Sequence, residues 1–307
     1  MNTEMKQRYS RLCEKDPDIP IYSQPWWMDT MCGEHGWDVF LVGDGMDIRA
    51  SFVYRIVEDN GKKKICRALL TQNNGIYIRY PDNQGIVSKQ KYEENIMNEI
   101  LDYIESLGLS SYEQQHHFRL TNWLPFFWRY YKETVKYTYL IDNTSDMDMV
   151  RASYSSNARK LIRKAQSKVH VIEITDTEMF YRVNSLSFLR QNEIMPYSYE
   201  EFMKLYLACN KHDCVKLLGA VDEEDRIHAV AFIVWDNNYM YFLLNGTDPE
   251  LKSFQGNYLL IDSCIEEAHK INKAFDFEGS VIRSVNHAFR EFGGIPTPYF
   301  RIYKEYS

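Results

Sequence analysis

Three stretches of the sequence hold residues whose types and spacing suit proton transfer and the binding of anions. In Phe275-Asp276-Phe277-Glu278-Gly279-Ser280, strand alternation would set both rings on one face and both carboxylates on the other, ~7 Å apart. On a central strand that acidic face lies in a cleft, where desolvation raises a carboxylate pKa and makes it a usable base. The competing reading is a plain ion pair with Arg283 or Arg290. Residues 149–172 contain no acid, yet carry Arg151, Arg159, Lys160, Arg163, Lys164 and Lys168. At ~100° per residue, the last five cover one half of a helix. Ala158, Leu161, Ile162, Ala165 and Val169 cover the other half. The apolar arc docks the helix, and the basic arc is either a solvated face or an attractor for a polyanion such as a diphosphate, CoA or RNA. Arg163 and Lys164 are its candidate ligands. Ser253-Phe254-Gln255-Gly256-Asn257-Tyr258 precedes a long helix. A glycine there lets backbone N–H groups of Gln255, Gly256 and Asn257 approach a phosphate at the helix start; a plain helix entry is the alternative.

The elements that must position these residues follow from hydrophobic period and breakers. Ile96, Met97, Ile100, Leu101, Ile104 and Leu107 predict a helix over 88–107, stopped by Gly108. Strand runs are expected at 38–42, 49–57, 63–70, 76–79 and 112–116. In the second half a helix over 147–168 leads to strands at 170–174, 215–221, 227–235 and 239–245, with Tyr241 and Asn245 on the last. A helix over 256–272, a strand over 274–279, a short helix over 284–292 and a strand over 299–303 complete the chain. Hairpin, strand, long helix and strand therefore occur twice, at about 49–116 and 215–279. This order predicts an α+β protein with mixed sheets and helices on their faces. The polar run Asp142-Asn143-Thr144-Ser145-Asp146 is the expected linker. It gives one domain over 1–145 and another over 146–295, with 296–307 returning to the first.

A length of 307 residues favours two such units. Apolar residues at 45% and charged residues at 26% exclude a disordered or fibrous chain. A net charge of −7 argues against wholesale binding to nucleic-acid backbone, leaving only a local basic patch. The N-terminal residues hold no apolar signal core, no stretch reaches a membrane span, and the six cysteines show no metal-ligand spacing. A cytoplasmic protein without membrane insertion or metal, a monomer or weak dimer, is the expectation. Adjacent His116 and His117 alternate faces of a strand and read as structural. The sequence holds no GxSxG, Walker loop or dinucleotide fingerprint.

Trp123-Leu124-Pro125-Phe126-Phe127-Trp128 with Tyr137-Thr138-Tyr139, the basic run Asn157-Ala158-Arg159-Lys160-Leu161-Ile162-Arg163-Lys164-Ala165, and Phe275–Ser280 followed by Phe289-Arg290-Glu291-Phe292-Gly293-Gly294 together resemble the ordered motifs of FemAB-like proteins. The resemblance spans nearly the whole chain and implies two tandem GNAT-like domains, each a mixed, mostly antiparallel sheet flanked by helices. It implies transfer of an acyl group from acyl-CoA, or of an aminoacyl group from tRNA, to an amine of a cell-envelope precursor or small molecule. Asp276 or Glu278 would be the base, and Arg290 an oxyanion stabiliser. Arg190, Phe289, Asn245 and Tyr241 would bind substrate. At Arg290 the family has a lysine; arginine stays charged and cannot shuttle a proton. That departure supports the alternative, a non-catalytic ligand-binding protein on the same scaffold.

Overall fold

The computed structural model describes residues 3–45, 47–189, 193–279 and 283–306. In chain order the elements are α1 (Thr3–Lys15), α2 (Pro25–Cys32), β1 (Trp37–Val42), β2 (Ala50–Asp59), β3 (Lys62–Cys66), β4 (Ile76–Ile78), α3 (Ile86–Ser106), β5 (Leu109–Gln115), α4 (Leu124–Phe127) and β6 (Lys132–Ile141). The second half holds α5 (Met147–Ser153), α6 (Ser156–Gln166), β7 (Val169–Glu173), α7 (Thr177–Leu189), α8 (Tyr199–Lys211), β8 (Val215–Asp222), β9 (Ile227–Trp235), β10 (Tyr239–Thr247), α9 (Gly256–Lys270), β11 (Ala274–Asp276), α10 (Arg283–Glu291) and β12 (Ile295–Glu305). The chain divides into one unit of Met1–Lys136 with Pro298–Ser307 and another of Tyr137–Thr297.

In the first unit the strands lie in the order β1–β2–β3–β5–β12, with β4 on β2. β3 and β5 run parallel, and the other pairs are antiparallel. Parallel neighbours need a crossover, and α3 supplies it. Its Ile96, Met97, Ile100, Leu101 and Ile104 are buried at three- and four-residue spacing against Phe52, Tyr54 and Tyr112 of the core.

The second unit repeats this plan in the order β6–β11–β10–β9–β8–β7. Here β10 and β11 are the parallel pair, and α9 is the crossover between them. Leu260, Cys264, Ile265 and Ala268 of α9 pack on Ala229, Ala231 and Ile233 of β9. The expected linker 142–146 caps a helix: Asp146 Oδ1 accepts from the N–H groups of Asp148 and Met149, which starts α5. The single helix expected over 147–168 is two. Tyr154 is buried, and Ser155 adopts a non-helical conformation in which its hydroxyl accepts from Ala158 N–H at 2.9 Å. That cap begins α6 afresh, with Ala158, Ile162 and Ala165 buried and Leu161 half-buried.

Candidate active site

β10 and β11 pair over three residues, Tyr239 with Ala274, Met240 with Phe275 and Tyr241 with Asp276. β11 then stops while β10 continues to Thr247, its register to β9 shifting between Tyr241 and Leu244. Such a bulge re-aims side chains and breaks the regular ladder. A cleft of about 460 Å³ lies where the pairing has ended. Phe242 and Asn245 of β10, Tyr258 of α9, Phe277 and Glu278 after β11, and Phe289 of α10 are among its walls.

Asp276 closes β11 and is completely buried. Its Oδ1 accepts from the Thr138 hydroxyl and, at 2.8 Å, from the N–H of Glu278. Its Oδ2 has no partner among the described residues. Burial pushes the carboxyl up to about 7, outweighing the two hydrogen bonds, which favour the anion. Glu278 behaves differently. Its φ of 66° is left-handed, a conformation that costs a side-chain-bearing residue about 1–2 kcal/mol. The bond from its N–H to Asp276 helps hold it there. The strand expected over 274–279 therefore ends at Asp276, and the two carboxylates do not share a strand face. Asp276 is sealed, while the half-buried Glu278 lines the cleft. Gly279 follows with φ 63°, and a Cβ there would stand 2.0 Å from the Tyr137 carbonyl oxygen. Only glycine permits so close a passage.

The start of α9 borders the cleft through Gln255 and Asn257. Gln255 is left-handed, φ 64°, and no side chain caps the start of α9, so the helix end keeps its positive potential. Gly256 is packed so tightly that a Cβ would stand 2.8 Å from His228 Cβ. His228 is held by Asp222, Nε2 to Oδ2 at 2.8 Å, and meets the Phe254 ring edge-on at 4.7 Å. Lys164 of α6 donates to the Ser253 carbonyl at 3.1 Å. Lys168 and Arg226 stand 5.2 and 5.7 Å from the Phe254 ring centre, and Lys252 lines the cleft. The turn over 252–255 thus gathers the end of the basic helix, the hairpin arginine and the uncapped helix start.

Of the residues singled out in the sequence, Glu278, Phe289, Asn245, Gln255 and Asn257 line the cleft. Gly256 is buried beside it, and Lys164 reaches the turn that precedes it. Arg163 is exposed and is not among the lining residues. Tyr241, on β10, is buried and outside the lining, its hydroxyl donating to Asp236 Oδ2 at 2.7 Å. Arg290, expected over the cleft, is exposed and outside the lining, because on α10 it is Val285, Ala288 and Phe289 that face inward. Arg190 lies outside the described residues. The sequence reading missed Thr138, Lys252 and the pair Tyr258–Glu291, whose side chains meet only after folding.

Residues 150–279 match a family model described as an acetyltransferase (GNAT) domain. A comparison with curated proteins gives no significant match. Among solved structures, FemX is similar over 98% of this chain and 96% of its own, at 10% identity and a TM-score of 0.71. The C-terminal domain of a putative lysylphosphatidylglycerol synthetase from Agrobacterium fabrum is similar over 100% of this chain and 93% of its own, at 9% identity and a TM-score of 0.56. L-PGS from Bacillus licheniformis has the same coverage and identity and a TM-score of 0.55. At such identities the likeness is one of fold. Among the described residues no helix is long and apolar enough to cross a membrane, and no group of side chains is arranged to hold a metal ion.

Proposed function

Since residues 150–279 match a GNAT-type acetyltransferase family model and the chain is similar in fold to FemX, we propose that the protein transfers an acyl or aminoacyl group to an amine. The observation that carries this reading is one cleft with Glu278 on its wall and the uncapped, lysine-flanked start of α9 at its border. A donor that joins a phosphate to an activated carbonyl fits that polarity. Its phosphate would sit at Gln255–Asn257 near Lys164 and Lys252, and an extended amide-bearing arm would run along β10 beyond Tyr241.

Glu278 takes the proton from the acceptor amine as its nitrogen attacks the donor carbonyl carbon. The tetrahedral intermediate then collapses, the carbon–sulfur bond of a thioester or carbon–oxygen bond of an ester breaks, and the leaving atom takes the proton from Glu278. Asp276 is a positioning residue here: its Oδ1 fixes the Glu278 backbone. Arg290, exposed and away from the lining, is given no catalytic role. The acceptor is an amine of a small molecule or cell-envelope precursor; the likeness to a lysylphosphatidylglycerol synthetase supports the cell-envelope part of this reading and not the amine, since phosphatidylglycerol offers hydroxyls.

Both donor classes, acyl-CoA and aminoacyl-tRNA, carry the required phosphate and carbonyl, and calorimetric titration with acetyl-CoA and with an aminoacyl-tRNA separates them. Transfer to a lysine-containing peptide or a peptidoglycan precursor, read by mass spectrometry, tests the chemistry. Binding of an acceptor by a chain that binds neither donor would favour instead the non-catalytic module, the reading that the arginine at position 290 supports.

A further inference from the structure

Tyr258, in the first turn of α9, lines the cleft, yet its hydroxyl proton is committed elsewhere. The hydroxyl donates to Glu291 Oε2 at 2.6 Å. Glu291, the last residue of α10, is buried, and its Oε1 accepts from Asn157 Nδ2 at 2.7 Å and from the Ser155 hydroxyl at 3.3 Å. Its main-chain carbonyl accepts from Ser155 N–H at 2.8 Å. One carboxylate therefore ties together the starts of α6 and α9 and the end of α10. Burial raises the carboxyl pKa, but the bonds from Tyr258, Asn157 and Ser155 more than offset it, so Glu291 stays anionic. An anion that accepts from both sides cannot donate back. The phenol is left with oxygen lone pairs to offer, and among the described residues no group donates to them.

We propose that Glu291 is a positioning residue that fixes the Tyr258 hydroxyl as a hydrogen-bond acceptor on the cleft wall, so that the bound donor must present an N–H or O–H group to it. This rests on the reading of the cleft as the donor site. It also assigns a task to the C-terminal motif: Glu291, the neighbour of the exposed Arg290, is the residue whose side chain reaches back toward the cleft. The alternative is a tie that only fastens α10 to α6 and α9, with no effect transmitted through Tyr258.

Two measurements on the full chain decide between them. With acetyl-CoA as the probe, Tyr258→Phe and Glu291→Ala each weaken binding about fivefold to tenfold, the worth of one hydrogen bond, while kcat at saturation stays within about twofold. In the Tyr258→Phe background, Glu291→Ala adds nothing; with Tyr258 intact, Glu291→Gln, which keeps an acceptor oxygen, retains most of the affinity that Glu291→Ala loses. An undiminished effect of Glu291→Ala in the Tyr258→Phe background, or none from Tyr258→Phe, overturns the proposal. The second measurement needs no ligand. In a 13C-labelled tyrosine NMR titration, Tyr258 titrates above the ordinary range in the wild type, because burial and the Glu291 carboxylate both raise it. Glu291→Ala moves it back toward about 10; an unmoved resonance refutes the coupling. A wild-type chain that binds neither acetyl-CoA nor CoA overturns the donor reading and the ligand half of this proposal, and the NMR titration then judges the Tyr258–Glu291 half alone.

Discussion

In the first unit the parallel pairing of β3 with β5 runs to Ile65 and Tyr112, an isolated parallel bridge joins Asn74 to His116, and Gly75, φ 99°, presses so close that a Cβ would stand 2.8 Å from His116 Nδ1. Polar groups fill the interior there: Asn73, Gln114, His116 and His117 are buried, and burial pulls both imidazoles down to about 3. A cavity of about 400 Å³ lies in this unit, but two of its lining charges, Asp16 and Arg79, already pair at 3.1 Å. In the second unit the corresponding parallel pairing ends at Asp276. There the interior holds an acid rather than neutral imidazoles, and the next carboxylate, on a left-handed residue, lines an open cleft. The same strand–helix–strand plan therefore leaves neutral polar residues beside a cavity in one case and a carboxylate on the wall of a cleft in the other. Where the strand stops decides which.

The sharpest way to break this contrast is at Glu278. Glu278→Gln should cut acyl transfer about a thousandfold, the usual worth of a general base, with donor affinity by calorimetry unchanged; full activity in a folded variant would remove Glu278 from the mechanism.

The two interiors should also respond to pH in opposite senses. Asp276 has a folded pKa of about 7, above its unfolded value near 3.9. Its contribution is whole below the unfolded value and is lost as pH rises through about 7, on the order of 4 kcal/mol in all. His116 and His117 lie below their unfolded value, so their contribution is whole above about pH 6.5 and is lost as pH falls toward about 3. Urea midpoints measured between pH 4 and 7 should therefore rise more steeply with pH in Asp276→Asn than in the wild type, and less steeply in His116→Gln. Parallel profiles in all three proteins would show that these buried groups do not set the pH response.

Gly246 tests whether the wall of the cleft is as tightly built as its floor. A Cβ at Gly246 would stand 2.4 Å from Asn184 Cα, so Gly246→Ala should lower stability by about 1–3 kcal/mol, seen as a shift in denaturation midpoint. Gly45, with no heavy atom within 4 Å of an added Cβ, provides the comparison, its cost confined to a left-handed φ of 54°.

The smallest effect belongs to the basic turn before α9. Charge reversal at Lys164 and Lys252 should weaken donor binding about tenfold at low salt and less at high salt, while reversal at Arg163, which is outside the lining, should change it little. Equal losses at all three positions would return the basic helix to a general attractor.

Periodicity alone made α3, α9 and most strands legible, because a helix or strand that buries one face must repeat apolar residues at its own period. The repeated order of elements and the motif sequence were enough to expect an α+β fold of GNAT type. The basic arc of α6 and the candidate base Glu278 were legible as well, since charge and residue type are local properties. Less legible were places where a backbone departs from its regular form. Ser155 ends one helix and starts another by a single cap, and Glu278 leaves the strand through a positive φ, so alternation no longer says which way its carboxylate points.

What the sequence determined by itself is the inventory: two α+β units, a carboxylate pair, a basic helix and a glycine at a helix start. The tertiary structure decided which members of that inventory meet. It sealed Asp276 and opened Glu278 because pairing with β10 ends at Asp276. It brought Lys164, but not Arg163, to the turn before α9, because 100° of helix separates neighbours. It turned Arg290 outward and Glu291 inward for the same reason, joining Glu291 to Tyr258 across 33 positions of chain. Contacts between residues so far apart depend on how helices seat on the sheet, and no local pattern carries that information.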